Sequence, residues 1–155
     1  MRKLLLILPV FFTFLLQAQE VDSKSVEPTL EVTKAFQKDF PKTKPNWRVD
    51  YAGDDRDQLS YEADFMMNNT KMTAVYSAVG LFKVLEVEIK EADIPANITE
   101  YLTKNYPKNR INNAAKIMTN NNDITYEIGI TINDKWTDAV FNKEGDFLRM
   151  VQKDR

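Results

Sequence analysis

Asp50, Asp54, Asp55 and Asp57 crowd around Gly53. A loop of this kind suits a hard cation such as Ca²⁺, which takes about six to eight oxygen ligands. The D-x-D-x-D-G order and the closing Glu of an EF-hand are missing, and Arg56 sits inside the cluster, so a solvated turn is the competing reading. Two carboxylate pairs, Glu62 with Asp64 and Glu86 with Glu88, stand two residues apart. That spacing puts both members on one face of a strand, where a hydrolase could use them as acid and base. Alternation with apolar neighbours turns both pairs outward into water, where nothing is expected to raise the pKa of one relative to the other.

Nucleophilic chemistry has little to start from. Among 155 residues there is no Cys and no His, which removes thiolate nucleophiles, thiolate zinc sites, iron–sulfur clusters, disulfides and the commonest general base. Ser and Thr are present, but no G-x-S-x-G and no S-x-x-K with its partners. The chain is read as a non-enzyme that carries no cofactor. Aromatic residues are the better material, because Tyr and Trp at an exposed sheet face can anchor a protein or stack on a sugar. Trp47, Tyr51, Tyr76 and Trp136 fall on predicted strands and are the candidate partner-binding residues, while alternation assigns Tyr61 and Tyr126 to the core.

These side chains must be held by the elements that the apolar periodicity predicts. Val32, Ala35, Phe36 and Phe40 follow helical spacing, which predicts a helix over 28–40 that Pro41 ends; Ile94, Ile98, Tyr101 and Leu102 predict a second, opened by Asp93-Ile94-Pro95 and stopped by Pro107. Leu59, Tyr61, Ala63 and Phe65 alternate with polar residues, and the isoleucines from Ile124 to Ile132 alternate likewise, which is the period of half-buried strands. Shorter strands are predicted at Trp47 to Tyr51, Thr73 to Ser77, Phe82 to Ile89, Ala114 to Met118, Trp136 to Phe141 and Phe147 to Val151. Turn residues separate them: Gly53, Asn68-Asn69, Gly80, Asn120 to Asp123, Asn133-Asp134 and Gly145.

Slid against itself by 65 positions, the chain brings Tyr61-Glu62 onto Tyr126-Glu127, Gly80 onto Gly145 and Phe82 onto Phe147. The expected architecture is therefore α+β, a tandem repeat of a helix followed by a four-stranded antiparallel sheet, with units at 28–90 and 91–155. One copy alone would be marginal, so the two are expected to share a sheet or pack side by side.

Ahead of this domain, Arg2 and Lys3 precede an apolar stretch from Leu4 to Leu16 and the sequence Leu16-Gln17-Ala18. This is the pattern of a secretory signal peptide, residues 1–18, cleaved near Ala18 and followed by a flexible segment at 19–27. No Cys follows for lipid attachment, so the expected location is periplasmic or secreted, with no membrane partner after cleavage. Removing Arg2 and Lys3 takes the net charge from −2 to about −4. An acidic chain without a basic stripe gains nothing from counterion release, which excludes nucleic acid as a partner.

The segment Ala35 to Pro41 (AFxxxFP), the strand ending in Tyr61-Glu62-Ala63, the segment Ile94 to Pro107 (IPxxIxxYLxKNYP) and two FN-x-x-G-like turns carry a family likeness. With the leader, they make the chain resemble the PepSY-like, β-lactamase-inhibitor-like proteins exported by Bacteroidetes, over Pro28 to Val151. The resemblance implies a non-enzymatic binding module that grips a protein or peptide of the cell envelope through its antiparallel sheets, with an inhibitory or regulatory effect on an envelope enzyme. The other reading is a periplasmic module for a small ligand or divalent cation. No inhibitory residue carries over, because this chain lacks the disulfides of the named inhibitor and no loop matches its enzyme-contacting segments. In the first turn, Ser77-Ala78 stands where the second has Asn142-Lys143.

Overall fold

A computed structural model describes residues 26–52 and 58–152. The expected leader, most of the segment at 19–27, and the loop carrying Asp54, Asp55 and Asp57 lie outside the described residues. In chain order the elements are α1 (Leu30–Asp39), β1 (Asn46–Ala52), β2 (Gln58–Met67), β3 (Thr70–Ser77), β4 (Phe82–Glu88), a 3₁₀ turn (Glu91–Asp93), α2 (Ala96–Asn105), β5 (Arg110–Thr119), β6 (Ile124–Ile132), β7 (Lys135–Asn142) and β8 (Phe147–Gln152).

Local chemistry accounts for most boundaries. Thr29 caps α1, its hydroxyl accepting from the Val32 N–H at 3.3 Å, and the helix stops before Pro41, which cannot continue it. Asp93 does not cap α2; it closes the 3₁₀ turn, and Pro95 takes the position before the first helical residue. Asn68-Asn69 and Asn133-Asp134 all have positive φ, between 48° and 62°. This is the backbone of two-residue hairpin turns whose twist matches the flanking strands, and Asn and Asp tolerate it.

All eight strands form one antiparallel sheet in sequential order. This corrects the expected tandem repeat of a helix followed by a four-stranded antiparallel sheet: the eight strands are one continuous sheet, β4 pairing directly with β5, from Val84↔Thr119 to Glu88↔Ala115. Periodicity says which face a strand buries and nothing about which strand meets its edge. Two separate sheets would have left the edges of β4 and β5 unpaired, and their union satisfies that row of N–H and C=O groups.

Both helices cover the same face. Residues directly opposite in an antiparallel pair share a face, so the pairing Leu85↔Met118, then Met118↔Ile124, carries the side facing α1 across to the side facing α2. From α1, Val32 and Phe36 pack onto Tyr61, Ala63, Phe65, Ala74 and Tyr76; from α2, Ile98 and Leu102 pack onto Ala114, Ile128, Ile130, Ala139 and Phe141. Each ten-residue helix is too short to persist alone and is held by this burial. In α1 the fully buried Phe36 meets Phe40, Trp47, Phe65 and Tyr76, ring to ring, at 5.3 to 6.3 Å. Alanines at positions 63, 74, 114 and 139 let these larger side chains approach the sheet.

Candidate functional site

No described element covers the opposite face of the sheet. Strand alternation places on it Arg48 and Asp50 from β1, Ser60, Glu62 and Asp64 from β2, Thr73 from β3, Glu86 and Glu88 from β4, Ala115 and Ile117 from β5, Glu127 and Gly129 from β6, Trp136, Asp138 and Val140 from β7, and Arg149 from β8. Register fixes who meets whom: Arg48↔Glu62, Asp64↔Thr73, Thr73↔Glu86 and Glu86↔Ile117 form one region, while Glu88↔Ala115, Ala115↔Glu127, Glu127↔Val140 and Val140↔Arg149 run in one row.

The first half of this face is a charged lattice. The Arg48 guanidinium reaches Glu62 at 2.8 Å and grips Asp64 through Nε and, at 3.1 Å, Nη2. Thr73 Oγ1 donates to the same carboxylate at 2.7 Å. The two acids therefore part company. Burial pushes Glu62 up, and Arg48 only partly offsets this while Asp50 and Asp64 add to it. Burial also pushes Asp64 upward, but the hydrogen bonds from Arg48 and Thr73, with the charges of Arg48 and Lys71, hold it below the usual carboxylate range. The expectation that nothing would separate these two carboxylates is thereby corrected. The missing signal was Arg48, whose position between Trp47 and Val49 already turns it to the same side as Glu62 and Asp64. Lys83, displaced by a bulge beside Val75 and Tyr76, donates to Ser60 Oγ at 2.8 Å.

The second half is more apolar. Val140 and Ile117 are buried without a helix above them, screened by long neighbours such as Glu127 and Arg149. Trp136 Nε1 donates to the buried carboxylate of Asp138 at 3.3 Å. Gly129, opposite Asp138, lies beneath Asn113 and beside the Trp136 indole, so the absence of a Cβ makes room for both. Between the halves lies a depression of ≈ 160 Å³ lined by Lys71, Thr73, Glu86, Glu88, Asn113 and Ala115. Shallow, and edged by both signs of charge, it is suited to side chains of a partner more than to an enclosed small molecule.

The four aromatic candidates do not converge. Trp47 is half-buried and packs edge-on against Phe36 at 5.4 Å, at the margin of the core under α1. Tyr76 is fully buried, its hydroxyl donating to Asp39 Oδ2 at 3.0 Å, so its expected place on a contact surface is corrected: the strand alternation that turns Val75 and Ser77 to the other face aims Tyr76 under the helix. Tyr51 is 54% exposed, on the helix-side face of the outer strand. Trp136 stands on the uncovered face, strands away from the others. Asp50 is exposed and accepts from the Tyr51 N–H at 2.8 Å; Asp54, Asp55 and Asp57 are outside the described residues, among which no group of three His, Cys, Asp or Glu is placed to hold a metal ion.

No described helix is long and apolar enough to cross a membrane. The sequence matches no family model and no curated protein. Solved structures do match. A DUF2874 family protein from Bacteroides ovatus superposes with a TM-score of 0.67 at 14% identity, over 82% of this chain and 89% of that one. A candidate periplasmic protein from Bacteroides eggerthii gives 0.66 at 14% identity, over 82% and 90%. A BLIP-like protein from Bacteroides fragilis gives 0.64 at 15% identity, over 84% and 90%. The PepSY side of the expected resemblance gains no support from these likenesses; the chain shares its fold with DUF2874 and BLIP-like proteins of Bacteroides.

Proposed function

We propose that this chain is an exported, non-enzymatic module of the cell envelope that holds a protein or peptide against the uncovered face of its sheet. The observation that carries the reading is the breadth of that face: eight strands wide, with both helices on the other side. A surface of this kind is preorganised. Its charges are tied to one another through Arg48, Glu62, Asp64 and Thr73, so little side-chain freedom is lost when a partner arrives. On the same face the half-buried Trp136 ring of β7 supplies an aromatic anchor, a side-chain type enriched at protein contacts.

Supporting the location are the leader pattern of residues 1–18 and the likeness to a candidate periplasmic protein. The absence of His and Cys speaks against the commonest catalytic constellations. A partner enzyme held on this face would be inhibited or regulated by occlusion, in keeping with the BLIP-like fold.

The test is capture from envelope extract by the immobilised chain from Gln19, which contains every described residue, against two variants of the uncovered face, Trp136→Ala and Glu88→Lys. Loss of a captured partner in variants that retain the parent's circular dichroism spectrum is the expected result. A partner retained equally by both variants overturns the assignment of this face.

A further inference from the structure

β1 is an outer strand. It pairs with β2 without interruption from Asn46↔Asp64 to Ala52↔Gln58, and no described strand pairs along its other side. Alternate N–H and C=O groups of seven residues therefore point away from the sheet. An edge left in this state is a template for another strand, and proteins commonly blunt it with Pro, Lys or a bulge. Asn46–Ala52 has no Pro, Lys or bulge, and its two charged residues, Arg48 and Asp50, are of opposite sign, so they repel a foreign edge less than they suit a second copy of the same strand.

We propose that β1 pairs antiparallel with β1 of a second copy of this chain, about a twofold axis through Val49, joining the two sheets edge to edge. The side chains select the register. With Val49 on the axis, Arg48 lies opposite the partner subunit's Asp50, Asp50 lies opposite the partner subunit's Arg48, and Trp47 and Tyr51 form two cross-strand aromatic pairs. Moving the axis by one residue either way sets Arg48 against itself or Asp50 against itself, and like charges directly opposite are unfavourable.

Faces agree as well. A twofold axis perpendicular to the sheet keeps the helices of both copies on one side, so Arg48 and Asp50 meet on the uncovered face while Trp47 and Tyr51 meet on the other. Arg48, whose side chain is 57% exposed, would then stand between Glu62 of its own chain and a second carboxylate across the axis. Tyr51, more than half exposed as the chain stands, would gain a ring to pack on.

The other outer strand lacks this self-complementarity. β8 is bent by a bulge facing Val140 and Phe141, and an axis on Arg149 would set that cation against itself. Pairing through β1 leaves the uncovered face open in each copy, so it stands or falls independently of the binding role proposed above.

The experiment is sedimentation equilibrium of the chain from Gln19 over a range of concentrations, with Asp50→Lys, with Arg48→Glu, and with the two variants mixed in equal amounts. Among the described residues Asp50 bonds only to the Tyr51 N–H, so Asp50→Lys is expected to keep the fold; circular dichroism checks both variants. The parent is expected to pass from monomer to dimer as concentration rises. In Asp50→Lys the dimer weakens roughly tenfold or more, because two opposite-charge cross-strand pairs become like-charge pairs. Arg48→Glu does the same, and the mixture restores a dimer because opposite charges again face each other at both positions. A parent that stays monomeric at every concentration, one that grows past the dimer, or a dimer indifferent to Asp50→Lys overturns the proposal. Should Arg48→Glu fail to fold, the comparison of the parent with Asp50→Lys decides alone.

Discussion

Glu62 and Asp64, two residues apart on the uncovered face of β2, share the guanidinium of Arg48 and yet are shifted in opposite directions. The difference is Thr73, which donates to Asp64, together with the Nε contact that Arg48 makes to Asp64. Among the described residues Glu62 has Arg48 as its one ion-pair partner, and two acidic neighbours, Asp50 and Asp64.

The pair makes a prediction about pH. Asp64, whose folded pKa is depressed, contributes stability that is present above its unfolded value of about 3.9 and is lost as pH falls through the folded pKa. Glu62 works in reverse: raised in the folded state, it contributes below its unfolded value of about 4.3, and that contribution is lost as pH rises through the folded pKa. Asp64→Asn is expected to cost about 1 kcal/mol at neutral pH, the exposure of Arg48 having weakened the pair, and the difference from the parent is expected to shrink as pH falls through the folded pKa of Asp64. Glu62→Gln is expected to stay within about 0.5 kcal/mol of the parent at neutral pH. Urea unfolding at a series of pH values reads both, and equal losses at pH 7 would sink the assignment.

Two matched turns respond differently to the same change. Gly80 and Gly145 both have positive φ, at 79° and 84°. A Cβ on Gly80 would lie 2.8 Å from the carbonyl oxygen of Glu31, in the backbone of α1, whereas on Gly145 the three atoms nearest to it would all belong to the Asn97 side chain, which bonds to the Glu144 carbonyl. Backbone cannot step aside and an amide side chain can. Gly80→Ala is expected to cost about 2 to 4 kcal/mol, adding a close contact to the left-handed conformation. Gly145→Ala is expected to cost about half as much. Thermal unfolding of the two variants side by side checks the order, which a larger loss at Gly145 would reverse.

A single sheet implies a single transition. Trp47 reports on the core under α1 and Trp136 on β7 beyond the β4–β5 junction. In Trp136→Phe and in Trp47→Phe, the fluorescence of the remaining Trp is expected to change at the same denaturant concentration as that variant's circular dichroism. Phe36→Ala, which empties a fully buried site, is expected to destabilise by about 3 to 5 kcal/mol and to shift both probes together. Separate midpoints for the two halves would show that β4 and β5 do not couple them.

Tyr76 ties the end of α1 to the sheet through Asp39. Burial, then the hydrogen bond and the charge of Asp39, drive its hydroxyl far above the ordinary tyrosine range, so no phenolate absorbance from this residue is expected in a titration that ionises exposed tyrosines. Tyr76→Phe is expected to cost about 1 kcal/mol, since Asp39 is exposed and recovers water as its partner. A phenolate signal unchanged by Tyr76→Phe up to mild alkali is the corresponding spectroscopic check.

Local structure is legible in the residues themselves. Helical spacing of Val32 and Phe36, and of Ile98 and Leu102, marks both helices; alternation marks the strands; Asn68-Asn69 and Asn133-Asp134 mark hairpin turns through backbone conformations that few other residues tolerate. These signals act over a few residues and are readable there. Tertiary structure alone decided the union of β4 with β5, because the hydrogen bonds of a strand's edge belong to the backbone, which every sequence shares. It also decided that Tyr76 lies under α1 while Trp136 faces away from both helices, and that Arg48 reaches across to Asp64. Each of these depends on the register between strands, and register is set by the packing of the whole sheet against two helices.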